Sequence, residues 1–136
     1  MNKLVMTLAV FVFTLASVQA QEVLHKGEFD NYSWRTDLEG DWKIVKQDGK
    51  NWVIFEDNFD ADKAPDLKIF LYKKPYKEVN GKNAADRNNA ALVAELKQYK
   101  GAYKHEIPSN INLSDYKSII IHCEEYSKLW GGSDLN

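Results

Sequence analysis

The run Ser118-Ile119-Ile120-Ile121-His122-Cys123 constrains the fold more than any other stretch. Three consecutive β-branched residues favour extended backbone, where their side chains suit a pleated surface. In a strand, Ile119, Ile121 and Cys123 point to one face and Ile120, His122 and Glu124 to the other. The thiol of Cys123 shares the more apolar parity and is expected to face the core or a pocket cut into it. His122 is expected to point the opposite way. Gly131-Gly132 follows Trp130 and is expected to loosen the end of this segment, with Leu135 returning to the core.

The rest of the chain reads as short strands separated by turn signals. Lys26 to Tyr32 reads as a first strand, opened by Gly27. Trp42–Lys46 and Trp52–Glu56 flank Gln47-Asp48-Gly49-Lys50. Asp-Gly between apolar runs is a strong hairpin signal, because both central residues of the tight turn need positive φ. Trp52-Val53-Ile54-Phe55 is apolar on both faces, as befits an inner strand. Leu67, Ile69 and Leu71 alternate with Phe70 and Tyr72 until Pro75 stops the strand. Residues 78–89 are polar and contain Asn80-Gly81, a loop signature. Ala90 to Tyr99 supports two readings. Leu92, Leu96 and Tyr99 fall at helical spacing, whereas Leu92, Ala94 and Leu96 alternate as a strand does. The strand from Leu92 is preferred, followed by a strand over Tyr103–Ile107 and a break at Pro108. These signals predict an all-β fold, an antiparallel, jelly-roll-like β-sandwich in a single domain.

Residues 1–20 read as an export signal. Asn2 and Lys3 precede the apolar Leu4–Ala16, and Val18 and Ala20 are small residues placed for cleavage before Gln21. The domain then occupies residues 21–136, exported to a periplasm or secreted, with no later run long enough to span a bilayer. Formal charge is −2, and no basic cluster stands out, which argues against nucleic-acid partners. A single cysteine excludes an internal disulfide. A lone thiol in an oxidising compartment is buried, paired between chains, or used.

Several candidate sites can be weighed from the residues. Redox use of Cys123 needs thiolate character, hence a nearby cation. Glu124 and Glu125 are acidic, so a cation such as Lys128 or an arginine must be brought in by the fold. No Cys-x-x-Cys-His is present, which excludes covalent c-type haem attachment. His25, His105 and His122 lack metal-ligand spacing. Asp57, Asp60, Asp62 and Asp66 are candidate calcium ligands in one oxygen-rich loop, against the simpler reading of a solvated acidic turn. The EF-hand pattern fails there, because Lys63 or Ala64 stands where glycine is required. Four tryptophans, Trp34, Trp42, Trp52 and Trp130, suit core packing first and a sugar-stacking face second. No nucleophile elbow or convincing catalytic set is present.

One resemblance covers nearly all of residues 21–136. It runs through Gly27-Glu28-Phe29, Asp57-Asn58-Phe59, Ala64-Pro65-Asp66-Leu67 and Ile69-Phe70-Leu71. It continues through Leu96-Lys97, Gly101, Tyr103, Ile107-Pro108, Ile111, Leu113 and Tyr116. It ends on Ser118–Ile121, Cys123, Tyr126, Gly132 and Leu135. This order resembles the electron-transfer DM-thirteen domain, a small extracellular domain found alone or beside haem-binding DOMON domains. The resemblance implies a redox role for Cys123, as a bare thiol or as ligand to a prosthetic group such as haem. It implies a redox partner protein or a DOMON-type domain as partner. Members usually have Gly-Pro-Asp where this chain has Ala64-Pro65-Asp66, and an aromatic, typically Trp, where it has His122. A cofactor leaning on that aromatic would lean on His122 here. The other class of function is a binding or adhesion module in which Cys123 only packs.

Overall fold

A computed structural model describes residues 9–13 and 20–136. Most of the export-signal segment lies outside the described residues. Eleven strands are present: β1 (Glu22–Glu28), β2 (Asp30–Asn31), β3 (Leu38–Glu39), β4 (Asp41–Gln47), β5 (Lys50–Phe55), β6 (Asp60–Ala61), β7 (Leu67–Tyr72), β8 (Ala90–Glu95), β9 (Tyr103–Glu106), β10 (Ser118–Cys123) and β11 (Lys128–Asp134). They form two antiparallel sheets, ordered β1-β4-β5-β9 and β2-β11-β10-β7-β8, with a small ribbon β3-β6 beside them. Among the described residues, no helix is long and apolar enough to cross a membrane.

The two sheets face each other across one core. Trp42, Ile44, Val53 and Phe55 come from the first sheet, and Ile69, Leu71, Val93, Ile119, Ile121 and Cys123 from the second. Period-2 alternation does this sorting, since every second side chain shares a face. The other parity of the second sheet is also covered. Phe70, Tyr72, Ile120 and Leu129 pack with Ala90 at the start of β8 and against Val79 and Ala84 of the segment joining β7 to β8. All six residues of β10 are therefore buried, those of the second parity by this added layer.

The joining segment is a polar loop, as expected, and it ties itself together. Asn80 Oδ1 accepts from the backbone N–H groups of Lys82 and Asn83, while Asn83 Oδ1 accepts from that of Asn80. Such side-chain-to-backbone bonds are the usual work of Asn in turns. We call residues 79–90 the strap.

The Asp48-Gly49 turn has the required geometry, with φ of 55° and 72°, and it joins β4 to β5. Residues 90–95 form an edge strand, not a helix. Three details differ from expectation. The first predicted strand is two strands in different sheets, because Phe29 turns into the core and the chain crosses the sandwich there. Leu92 is exposed, because a bulge opposite Ile69 and Phe70 puts Val93 into the core instead. Gly131-Gly132 does not loosen the end of a strand. It lies inside β11, paired to Ile121 and Ile120 on one side and to Asn31 and Asp30 on the other. The chain reverses earlier, at residues 124–127, with Ser127 at a φ of 49°.

Candidate functional site

Cys123 is the last residue of β10, and the isoleucine ladder holds its side chain inward. It is a free thiol with 0% exposure. Its register partners are Leu67 on β7 and Lys128 on β11. Directly opposite residues of an antiparallel pair share a face, with Cβ atoms about 5 Å apart. The fold thus brings a cation, Lys128, to the residue beside Cys123. The Lys128 ammonium lies 5.5 Å from the centre of the Trp130 ring, a cation–π distance. Trp130 belongs to the same core cluster as Cys123, and its indole N–H donates to the Asp62 carbonyl at 3.0 Å.

The turn after Cys123 is fastened by charge. Asp66 accepts the Glu124 N–H through its backbone carbonyl, at 3.2 Å, and the Glu125 N–H through its carboxylate, at 2.9 Å. Lys68 pairs with Asp66 at 3.2 Å and with Glu124 at 2.8 Å. Arg87 of the strap reaches Glu124 at 3.1 Å and lies 4.9 Å over the Phe70 ring. The hydrogen bond from Lys68 holds the Glu124 carboxyl below the ordinary 4.5, against the opposing pull of burial, and Arg87 adds to the lowering. The same bond raises Lys68.

His122 points away from Cys123, as the parity required. It is almost wholly buried beneath the strap, with its ring 6.2 Å from that of Phe70. Its Nδ1 has no hydrogen-bond partner. Burial pushes the imidazole below its ordinary 6.5. The Glu124 and Asp66 carboxylates and a hydrogen bond to the Lys128 backbone oppose that shift, and Arg87 adds to it. The folded imidazole is therefore neutral where the unfolded one takes up a proton. Its contribution to stability is complete above the unfolded value and is lost as pH falls below 6.5 toward the lower folded value. Denaturant midpoints measured from about pH 7.5 down to about pH 5 should fall for the natural chain and fall less for His122→Phe. Parallel curves for the two would refute this. Glu124 adds a separate loss at more acid pH, below 4.5, as its carboxyl is protonated.

The four acidic candidates do not converge. Asp57 is exposed, Asp60 pairs with Lys100 at 3.5 Å, and the Asp62 carboxylate accepts the Asp37 N–H. Asp66 is engaged with Lys68 and the turn after Cys123. Among the described residues, no group of three or more His, Cys, Asp or Glu is placed to share a metal ion. The histidines are likewise dispersed: the ring of His25 bonds the Asn136 backbone and that of His105 the Glu106 carbonyl. The tryptophans divide: Trp42 and Trp130 are core, Trp52 is half-buried, and Trp34 is exposed.

A haem held by Cys123 needs the sulfur open to a cavity wide enough for the macrocycle. Cys123 instead lies sealed between the sheets and contributes to none of the five principal clefts. The surroundings do not fit that group, and His122 lies on the opposite face of the strand. Sequence reasoning missed Asp66, Lys68 and Arg87 as the clamp around the turn. Ala64-Pro65-Asp66 read as an isolated loop, and nothing local linked it to a turn 58 residues later.

The profile of the family described as Electron transfer DM13 matches residues 28–134, a span from the end of β1 to the end of β11. No curated protein and no solved structure matches the chain. The family match covers every strand that surrounds Cys123, so the chain belongs to the electron transfer DM13 family.

Proposed function

We propose that this domain is exported and carries single electrons, with the Cys123 thiol as its redox-linked group and another redox protein, such as a DOMON-type domain, as its partner. The observation that supports this most is the pairing of Cys123 with Lys128 beside the Trp130 ring. The register sets a cationic residue opposite Cys123 on the neighbouring strand. Complete burial keeps bulky thiol reagents away, whereas an electron crosses a thin layer of packed protein without contact. In the forward step the Cys123 thiol gives one electron to a one-electron acceptor and its proton to solvent, leaving a thiyl radical. The reverse step restores the thiol. Export through residues 1–20 belongs to the same reading, and the mature chain would then start at Gln21.

The test is an anaerobic titration with a one-electron oxidant such as hexachloroiridate. The natural chain should take up oxidant in proportion to its thiol. Cys123→Ala, folded and weakened by ~1 kcal/mol for the small cavity, should lose that uptake. Lys128→Gln should slow it. Equal uptake by the natural chain and Cys123→Ala would refute the proposal. It would favour the second reading, a binding module in which Cys123 only packs, for which the exposed ring of Trp34 is the specific support.

A further inference from the structure

Trp34 is the most exposed of the four tryptophans. It lies between β2 and β3 with 86% of its surface exposed. An exposed indole offers a flat apolar face with a polar N–H, and tryptophan is enriched at interfaces for that reason. The Arg35 guanidinium carbon sits 5.2 Å from the centre of that ring, stacked over it. Together they border a cleft of ≈ 350 Å³, with Tyr32, Trp34 and Arg35 on one wall, Ser127 and Lys128 on the other, and Gly81 of the strap at the rim.

The rim is set by backbone contact. A side chain at Gly81 would place its Cβ 2.3 Å from the Ser127 carbonyl oxygen, so the strap and the β10–β11 turn meet there without room for one. The charge of the cleft is one-sided. Its walls hold two cations and no carboxylate, in a chain whose formal charge is −2. Among the described residues, neither Arg35 nor Lys128 forms an ion pair that would neutralise it. Ser33 and Leu129 complete the lining, which includes three hydroxyl-bearing residues, Tyr32, Ser33 and Ser127.

We infer that this cleft binds an acidic saccharide, a chain of uronic-acid rings. The apolar face of a sugar ring stacks on the open indole. Its carboxylate meets Arg35, whose planar fork suits that group, and Lys128. Its hydroxyls meet those of the lining. A nucleic-acid strand also carries one charge per unit, but it is held by a basic groove with several stacking aromatics, and this cleft offers one open indole and two cations. A uronate carries one charge per ring, which two cations can match. This inference shares Lys128 with the thiol reading but not Cys123 or Trp34, so Trp34→Ala tests it alone.

Calorimetric titration of the full chain with oligogalacturonate tests it, beside the methyl-esterified oligomer and a single-stranded oligonucleotide. Oligogalacturonate should bind, and more weakly as salt is raised. Affinity should drop about tenfold or more for the esterified oligomer, for Trp34→Ala and for the double variant Arg35→Gln/Lys128→Gln. Circular dichroism should show all variants folded, since these side chains lie at the surface. Absence of binding, equal binding of the esterified oligomer, indifference to Trp34→Ala, or tighter binding of the oligonucleotide would each overturn it.

Discussion

Phe55→Ala is expected to lower stability by about 4 kcal/mol, close to the whole margin of a small domain. Phe55 is fully buried, on the inner face of β5. Its ring centre lies 4.5 Å from that of Phe59, 5.1 Å edge-on from Phe29 and 5.5 Å from Tyr103. Removing it loses the transfer free energy of a phenyl group and opens a void among rings that cannot all close in. Trp34→Ala, with a larger side chain removed, should shift stability by no more than about 0.5 kcal/mol, because that ring packs little. Urea midpoints at a common slope would check both. Similar losses for the two variants would contradict the division between core and surface aromatics.

The second large effect is expected at Gly131. Alanine there would place its Cβ 2.1 Å from the Asp30 carbonyl oxygen and 2.7 Å from Leu38 Cδ2. The leucine tip can yield, but the carbonyl belongs to β2, which is held to β11 through the short run Gly131–Asn31 and Gly132–Asp30 and the Tyr32 N–H on the Trp130 carbonyl. The strands must separate, at a loss of about 3 kcal/mol. Gly49→Ala makes the useful contrast. Its φ of 72° disfavours a side chain, but no atom lies within 4 Å, so only the conformational cost of about 1–2 kcal/mol applies. If Gly131→Ala were milder than Gly49→Ala, the close approach of β2 would be wrong.

Much of the sandwich was legible because period-2 patterns act locally. The parities of Leu67–Tyr72 and of Ile119–Cys123, and the Asp48-Gly49 turn, are each set within a few residues. What the sequence hid was set by distant partners. Gly131-Gly132 resembles a breaker, and only the arrival of β2 and of Tyr76 explains why side chains are excluded there. Asp66 resembled one of four equivalent acids until its bonds to the turn after Cys123 set it apart. Leu92 and Val93 exchanged faces through a bulge that no apolar pattern announces. For the candidate site, the inward sulfur was readable from parity. Its register with Lys128 was not, because no turn signature marks residues 124–127, where Ser127 adopts positive φ without glycine.

The strap also has a consequence for how unevenly the molecule opens. Its apolar grip on the second sheet consists of small or medium side chains, Val79, Ala84 and Ala90, and its far end is latched by Arg87 on Glu124. β10, by contrast, lies in the middle of five strands with both neighbours fully paired. Amide protons of residues 79–89 should therefore exchange with deuterium through local detachment, long before those of Ile119–Ile121, which should wait for global unfolding. Raising the salt concentration should widen that gap by weakening the latch and leaving the isoleucine ladder untouched.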